Sequence, residues 1–510
     1  MKYLVDGRQM KAIDRYTIEQ IGIPSLVLME KAAMATAMVI LDYAKSEDRV
    51  LAVCGQGNNG GDGIAVARIL KEAGLDTSVL FVGNEEKASE ETKRQLQIGR
   101  NLNLPIFISN GNFKENFNIE KIREYTVIVD AVFGIGLSKA VTGVQEEIIK
   151  AVNQSRAKKF SVDIPSGIHA ETGQVMGNAV KADITVTFGY LKLGLILYPG
   201  AEYAGEVIKA DIGFPKMAEQ KLDLNTFTYD LEDKKRLPMR NPYSNKGNYG
   251  RVLIIGGAKN MAGAAYLAGF SAYCAGAGLV KILTCEENRV IIQSCLPEAL
   301  LSTYTEESFN EDWFMQELKW ATTVAIGPGL GTGTIAERML KCMVEKSEIP
   351  TVMDADGLNL LAQNGGLEAI RDKKNIVITP HVKEMARLCD CMVSQITHDI
   401  LSFTKEVMKD KKFTLVLKDA RTLVVEGVRT YVNRTGNAGM AVGGSGDVLT
   451  GVIAGLIGQG MEVMEGSALG VYIHGLAGDR VAGDESEYSI LAGDIARGLK
   501  KEINRDERIL

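Results

Sequence analysis

Val50-Leu-Ala-Val-Cys54 runs directly into Gly55-Gln-Gly-Asn-Asn-Gly-Gly-Asp-Gly63, and residues at helical spacing follow from Ile64 to Gly74. A short, wholly apolar run reads as a strand buried on both faces, with the glycines turning the chain into a helix. The same grammar recurs in Thr77-Ser-Val-Leu-Phe-Val82, Thr126-Val-Ile-Val-Asp130, Phe160-Ser-Val-Asp-Ile164, Ile184-Thr-Val-Thr-Phe188 and Val207-Ile-Lys-Ala-Asp211, with a further helical stretch from Lys87 to Leu102. Such alternation predicts an α/β fold: a parallel sheet between two helical layers, a three-layer αβα sandwich. Ligands of these sheets bind beyond the carboxyl ends of the strands, so function is expected in the loops that end the runs.

From about Pro215 to Pro242 the pattern gives way to a charged, proline-punctuated stretch. A second α/β series then opens with Arg251-Val-Leu-Ile-Ile255 and continues through Leu279-Val-Lys-Ile-Leu283, Thr322-Thr-Val-Ala-Ile326, Thr351-Val-Met-Asp354, Asn375-Ile-Val-Ile-Thr379 and Phe413-Thr-Leu-Val-Leu417. Two domains are therefore expected, 1–215 and 235–510, joined by a linker at 216–234; 510 residues exceed what one core organises. A formal net charge of −6 argues against nucleic acid as a partner, because that partner is bound by clustered Lys and Arg. The first residues carry no apolar signal core and no later stretch stays apolar for about 18 residues, so a cytoplasmic protein without a membrane partner is expected. Of seven cysteines only Cys389 and Cys391 are close, and they are read as reduced and mostly buried. A homo-oligomer is the expected assembly.

Gly55, Gly57 and Gly60 have the G-x-G-x-x-G spacing at which bare backbone approaches a pyrophosphate, a weak signal by itself because a plain strand-to-helix turn has it too. Asn58, Asn59 and Asp62 add amide oxygens and a carboxylate that a turn does not need. Asp130, followed by Gly134-Ile-Gly136-Leu, and Asp163, in Ser161-Val-Asp-Ile-Pro165-Ser-Gly167, end two further strands on the same sheet edge. Each carboxylate alone reads equally well as a cap or turn residue; three together point to chemistry.

The triple of GxGNNGGDG, VDAxFGxGL and SVDIPSG resembles the YjeF N-terminal family, the NAD(P)H-hydrate epimerases, over roughly residues 1 to 215. That resemblance implies a Rossmann-like domain in which Asn59, Asp130 and Ser166 ligate potassium. It implies that Asn58, Asn59, Gly60, Gly61 and Asp62, with Gly134, Ile135, Gly136, Leu137, Ser138, Lys139 and Ala140, hold the dinucleotide, and that Asp163 contacts the substrate. Epimerising the ring carbinol needs the C6 hydroxyl to leave and return on the other face, and Asp163 is expected to shuttle the proton as general acid and base.

In the second half, Asn437-Ala-Gly-Met-Ala-Val-Gly443-Gly444-Ser-Gly446-Asp447-Val-Leu-Thr-Gly-Val-Ile-Ala-Gly-Leu456 places glycines, then an aspartate, then apolar residues at helical spacing. The amides of Gly444, Ser445 and Gly446 would face an anion at a helix N-terminus. Asp447 in the first turn has an innocent reading, since acidic residues are favoured there; the same dipole favours its carboxylate form, a poor base for a free alcohol but a good acceptor once the alcohol attacks phosphorus.

This arrangement resembles ribokinase-like proteins. Asn245-Lys-Gly-Asn-Tyr-Gly250, Gly256-Gly-Ala-Lys-Asn-Met-Ala-Gly-Ala264, Gly327-Pro-Gly-Leu-Gly331, Asp354-Ala-Asp-Gly-Leu-Asn359 and Thr379-Pro-His-Val-Lys-Glu384 narrow the likeness to the NAD(P)H-hydrate dehydratase family over about residues 235 to 505. Val382-Lys383 stand where the family pattern calls for Pro-Gly. By that resemblance Lys418, Asp419, Ala420, Arg421, Thr422, Gly444, Ser445 and Gly446 contact the nucleotide, Asp447 is catalytic, and Ala262, Gly329, His381 and Asp447 contact the substrate. His381 alone would read as a structural histidine. The two resemblances together imply a bifunctional repair enzyme acting on the hydrates NADHX and NADPHX, with ADP or ATP as phosphoryl donor, Mg2+ and K+. A vitamin-alcohol kinase fused to a sensing domain competes with this reading, as does a non-catalytic binding module; an NAD-dependent dehydrogenase ranks lower, since the second half carries phosphoryl-transfer features.

Overall fold

In the computed structural model, residues 1–109 and 117–504 are described. They fall into two compact units, Tyr3–Leu224 and, with Met1–Lys2, Asn225–Leu510.

The first unit is built on seven strands in the spatial order Ile106–Ser109, Asp76–Val82, Arg49–Cys54, Val127–Ala131, Lys158–Val162, Ile184–Phe188 and Glu206–Ala210. Every neighbouring pair is parallel. Side chains of one strand alternate between two cores. Val50, Ala52 and Cys54 pack with the helices Ser25–Tyr43 and Asn58–Glu72, while Leu51 and Val53 pack with Val144–Gln154 on the other face. Burial on both faces is why these runs lack polar alternation. All six runs expected here are strands; the seventh, Ile106–Ser109, has no signal in the sequence because four residues after Pro105 are too few to show a period.

The helix begins at Asn58, inside the glycine run, rather than at Ile64. Close packing forces this. A Cβ on Gly60 would lie 1.8 Å from the Gly55 carbonyl oxygen, and one on Gly63 would lie 2.4 Å from the Ala131 Cβ. Gly57 meets nothing within 4 Å and is open to a ligand. The glycine spacing thus serves helix-to-strand contact first.

Ten strands form the sheet of the second unit, in the order Leu300–Tyr304, Leu279–Cys285, Arg251–Ile255, Thr323–Ile326, Thr351–Met353, Ile376–Ile378, Thr414–Leu417, Leu423–Glu426, Arg429–Val432 and Thr226–Thr228. The first seven are parallel. The next two pairings are antiparallel and the last is parallel. The stretch 216–234, expected as a linker, instead carries the helical turn Met217–Lys221 and the fully buried strand Thr226–Thr228, and the limit between the units falls inside it. Its charges mark the rims of these short elements, which are too brief for the periodicity of a longer strand or helix. The expected domain end at residue 510 lies outside the described residues.

Candidate active sites

In the first unit the strand ends frame a cavity of about 670 Å3. Of the expected substrate contacts, Asn58, Asn59, Asp62, Gly134, Ile135, Gly136, Leu137, Ser138, Lys139 and Asp163 line it; Gly60, Gly61 and Ala140 are not among the lining residues. Gly60 and Gly61 face inward, against Gly55 and against Met29 and Thr92.

Asp163 sits at φ +68, a left-handed conformation unusual for a residue with a side chain. Its Oδ1 accepts from Lys192 Nζ at 2.5 Å, the Phe188 amide at 3.2 Å and Thr187 Oγ1 at 3.3 Å. Lys192 is wholly buried; its ammonium also donates to Thr187 Oγ1 at 3.0 Å and to the Phe188 carbonyl at 2.9 Å. Burial pushes the Lys192 pKa down, and the neighbouring Asp163 opposes that shift. Two more acids join the wall. Asp62 is driven well above the usual carboxylate range by burial, then by Asp163 and Asp14, and Asp14 is raised by burial, Glu91 and Asp163. Sequence reasoning missed Lys192 and Asp14. The signal for Lys192 was present: a lone cation in the apolar run Tyr190-Leu-Lys-Leu-Gly-Leu-Ile-Leu197 must find a partner when buried.

At the cavity wall two of the three expected potassium ligands, Asn59 and Ser166, bond the Phe133 backbone, and the third, Asp130, bonds Ser166. Asn59 Nδ2 donates to the Phe133 carbonyl at 3.0 Å, and Ser166 Oγ accepts from the Phe133 amide at 2.8 Å. Asp130 Oδ2 accepts from Ser161 Oγ at 2.7 Å and from the Ser166 amide at 2.8 Å. Its Oδ1 is buried without a hydrogen-bond partner, and burial raises the carboxyl's pKa. An orphaned carboxylate oxygen beside amide, hydroxyl and carbonyl oxygens fits a monovalent cation, which takes neutral oxygens and about one charge.

In the second unit the helix Ser445–Gly458 opens from Gly444 at φ +89, with no side chain capping it. The Ser445 amide donates to the Val442 carbonyl at 3.3 Å, so it is not free for an anion as expected. Beneath this turn the ammonium of Lys418, at the end of Thr414–Leu417, donates to Asp354 Oδ1 at 2.7 Å, while Thr450 Oγ1 donates to Asp354 Oδ2 at 2.7 Å. A Cβ on Gly446 would stand 3.3 Å from Lys418 Nζ, so the glycine keeps the ammonium accessible to the turn.

Asp447 departs from expectation. Its pKa is raised to about 7, by burial first and then by Asp354, with Lys418 opposing and Asp356 adding. The helix terminus does not hold it as a carboxylate, because removal from water outweighs the dipole. A carboxyl poised near neutrality is a better proton acceptor for a reacting alcohol than one at the usual value. Ser445 Oγ lies 3.5 Å from His474 Nε2, and burial lowers the His474 pKa to about 4, so that imidazole is neutral.

Among the remaining expected contacts, Lys418 and Thr422 bracket an exposed turn through Asp419 and Ala420, and Arg421 Nη1 donates to the Arg434 carbonyl at 3.0 Å. Ala262 begins the helix Ala262–Cys274, beside Gly329, whose φ is +57. His381 caps the helix Val382–Leu388: its Nδ1 accepts from the amides of Lys383 and Glu384, both at 3.1 Å, and Glu384 Oε2 accepts from the His381 amide at 2.8 Å. Val382 replaces the family's proline at the first helical position, where the amide is not needed, so the turn survives the change. With Nδ1 accepting, the ring proton lies on Nε2 of a half-exposed side chain.

Residues 25–194 match the family described as YjeF-related protein N-terminus, and residues 252–501 match the family described as NAD(P)H-hydrate dehydratase. The chain is 35% identical over 524 residues to a bifunctional NAD(P)H-hydrate repair enzyme of Moorella thermoacetica, with 98% of each chain covered. It is 35% identical over 494 residues to the enzyme of that name from Escherichia coli, covering 96% of this chain and 92% of that one. A ribokinase-like superfamily protein from Enterococcus faecalis superposes with a TM-score of 0.50 and 29% identity, over 55% of this chain and 95% of its own. With both halves matched in order and nearly the whole length aligned, the chain belongs to the family of bifunctional NAD(P)H-hydrate repair enzymes.

Proposed function

We propose that the chain restores hydrated NADH and NADPH in two reactions: the domain at 1–215 interconverts the R and S hydrates, and the domain at 235–510 dehydrates the S form at the expense of ADP or ATP. The observation that carries this reading is the pairing of an uncapped helix terminus with a carboxyl whose pKa is about 7, Asp447, beside Lys418. Hydroxide is a poor leaving group. Asp447 takes the proton of the C6 hydroxyl as its oxygen attacks the terminal phosphorus, while Lys418 and the Gly446 amide hold the phosphoryl oxygens. The N1 lone pair forms C6=N1 as the C6–O bond of the resulting ester breaks and phosphate leaves; a C5 proton is then lost, its bonding pair forms C5=C6, the C=N pair returns to N1, and the dihydropyridine is restored. Mg2+ bound to the nucleotide phosphates would supply positive charge to offset that of the transferred group.

Upstream, Asp163 moves the proton at the C6 oxygen during epimerisation. Asn59, Asp130 and Ser166 would hold K+, which supplies a fixed positive charge behind the dinucleotide loop; the unpartnered Asp130 Oδ1 supports this. The nucleotide contacts assigned to Lys418 through Thr422, and the substrate contacts of Ala262, Gly329 and His381, belong to the same reading. So do a cytoplasmic location, a homo-oligomeric assembly and the absence of nucleic-acid and membrane partners. The charge of −6 supports the nucleic-acid part, and no helix among the described residues is long and apolar enough to cross a membrane.

Phosphorus NMR of the protein with S-NADHX and ADP tests the chemistry. Free phosphate appearing with NADH supports dehydration; a stable phosphate ester would mark a kinase instead.

A further inference from the structure

The acids of the first cavity are provided for unequally. All three protons of the Lys192 ammonium have protein acceptors, namely Asp163 Oδ1, Thr187 Oγ1 and the Phe188 carbonyl. Lys192 therefore anchors Asp163 by one oxygen and has no donor left for a substrate. Asp62 projects from the helix Asn58–Glu72 into the same cavity, where it faces Asp163 and Asp14 and has Lys192 as its opposing charge.

Inversion at C6 asks for two proton events on two faces. The departing oxygen must gain a proton on one face, and the arriving water must lose one on the other. A single anchored carboxyl reaches one face, whereas two carboxyls on separate elements serve both, as the acid and base of inverting hydrolases do.

We propose that Asp62 is a second catalytic residue of the epimerisation, paired with Asp163, and that Lys192 is the positioning residue that decides which of the two carboxyls carries the proton. This rests on the epimerase reading above. In one direction the Asp62 carboxyl gives its proton to the C6 hydroxyl; the C6–O bond breaks, water departs, and the N1 lone pair forms the C6=N1 bond. Water then adds to the other face, the C=N pair returns to N1, and the Asp163 carboxylate takes the released proton. Asp62 ends ionised and Asp163 protonated, and the reverse reaction runs with their roles exchanged. The burial-raised pKa of Asp62 agrees with its starting as the acid. The charged groups acting on this cluster are Asp14 from Gly7–Tyr16, Glu91 from Glu90–Asn101, and Lys209 from Glu206–Ala210.

The test uses full-length protein and separated R and S hydrates, with interconversion followed by chromatography across pH for Asp62→Asn, Asp163→Asn, Lys192→Met and Lys192→Arg. Asp62→Asn is expected to lower kcat by about 100-fold or more with KM nearly unchanged, and to turn a two-sided pH profile into a one-sided one. Lys192→Met should move the acid limb up by about 1 to 3 pH units, and Lys192→Arg should restore it. If Asp62→Asn raises KM and keeps kcat, Asp62 is a binding contact and the proposal falls; an unmoved acid limb in Lys192→Met removes the positioning role. Retained epimerisation in Asp163→Asn would instead defeat the proton-shuttle reading. Should Asp62→Asn lose its melting transition, Asp62→Glu decides: reduced kcat with a two-sided profile supports the proposal, and wild-type kcat overturns it.

Discussion

Replacing Asp447 by asparagine should stabilise the second unit at neutral and alkaline pH while abolishing dehydration. In the folded chain this carboxyl holds its proton to about pH 7, whereas an unfolded aspartate releases it near 3.8. The folded state therefore binds more protons than the unfolded state between these values, and stability falls as pH rises through that window. About three units at 1.36 kcal/mol each set a ceiling of roughly 4 kcal/mol, and partial solvent access reduces this to about 2 kcal/mol. Asparagine has nearly the same shape and no charge, so it removes the penalty. The gain should be absent near pH 4 and complete above pH 7. Both tryptophans, Trp313 and Trp320, lie in the second unit, so urea unfolding followed by their fluorescence reports on it directly. Equal stability of the two proteins at pH 8, or a less stable variant there, would refute the burial argument.

Asp163→Asn should stop epimerisation and leave dehydration of the S hydrate at its wild-type rate, read by supplying each hydrate separately. Replacing K+ by choline should slow epimerisation and spare dehydration, and Asp130→Asn should abolish the difference between the two salts. Gly60→Ala puts a methyl 1.8 Å from a backbone oxygen, and should cost the first unit about 3 kcal/mol or more; circular-dichroism melts and loss of epimerisation alone check this. Gly446→Ala meets the flexible end of Lys418 at 3.3 Å and touches Asp354 Oδ2 at an ordinary 3.6 Å, so the fold should persist while KM for the nucleotide rises about 10-fold or more through the lost phosphate approach.

The parallel cores were legible because strands buried on both faces are written as unbroken apolar runs, and all twelve expected runs became strands. What escaped was short or edge-lying. Ile106–Ser109 and Thr226–Thr228 are too brief for a period to show, and the hairpin of Leu423–Glu426 and Arg429–Val432 directly follows Lys418-Asp-Ala-Arg-Thr422, whose charged and hydroxyl groups read as a ligand loop and mask the short strands behind it. At the candidate sites, local spacing is enough to single out Asn59, Asp130, Asp163 and Asp447 as candidates, and the structure puts Asp163 on the wall of the first cavity and Asp447 at the helix terminus. Residues that enter from distant segments carry no such signal. Lys192 reaches Asp163 from 29 positions away and Thr450 reaches Asp354 from 96, and no local pattern announces such pairs. The protonation of Asp447 differs from the sequence expectation for a related reason: a helix terminus is visible in sequence, whereas the surrounding burial is supplied by the whole fold.

The most direct measurement is the recovery of near-ultraviolet absorbance when a mixture of R and S NADHX is given to the purified chain with K+, Mg2+ and either ADP or ATP. Complete recovery is predicted for the wild type, and recovery of the S fraction alone for Asp163→Asn. No recovery with either nucleotide would contradict the account.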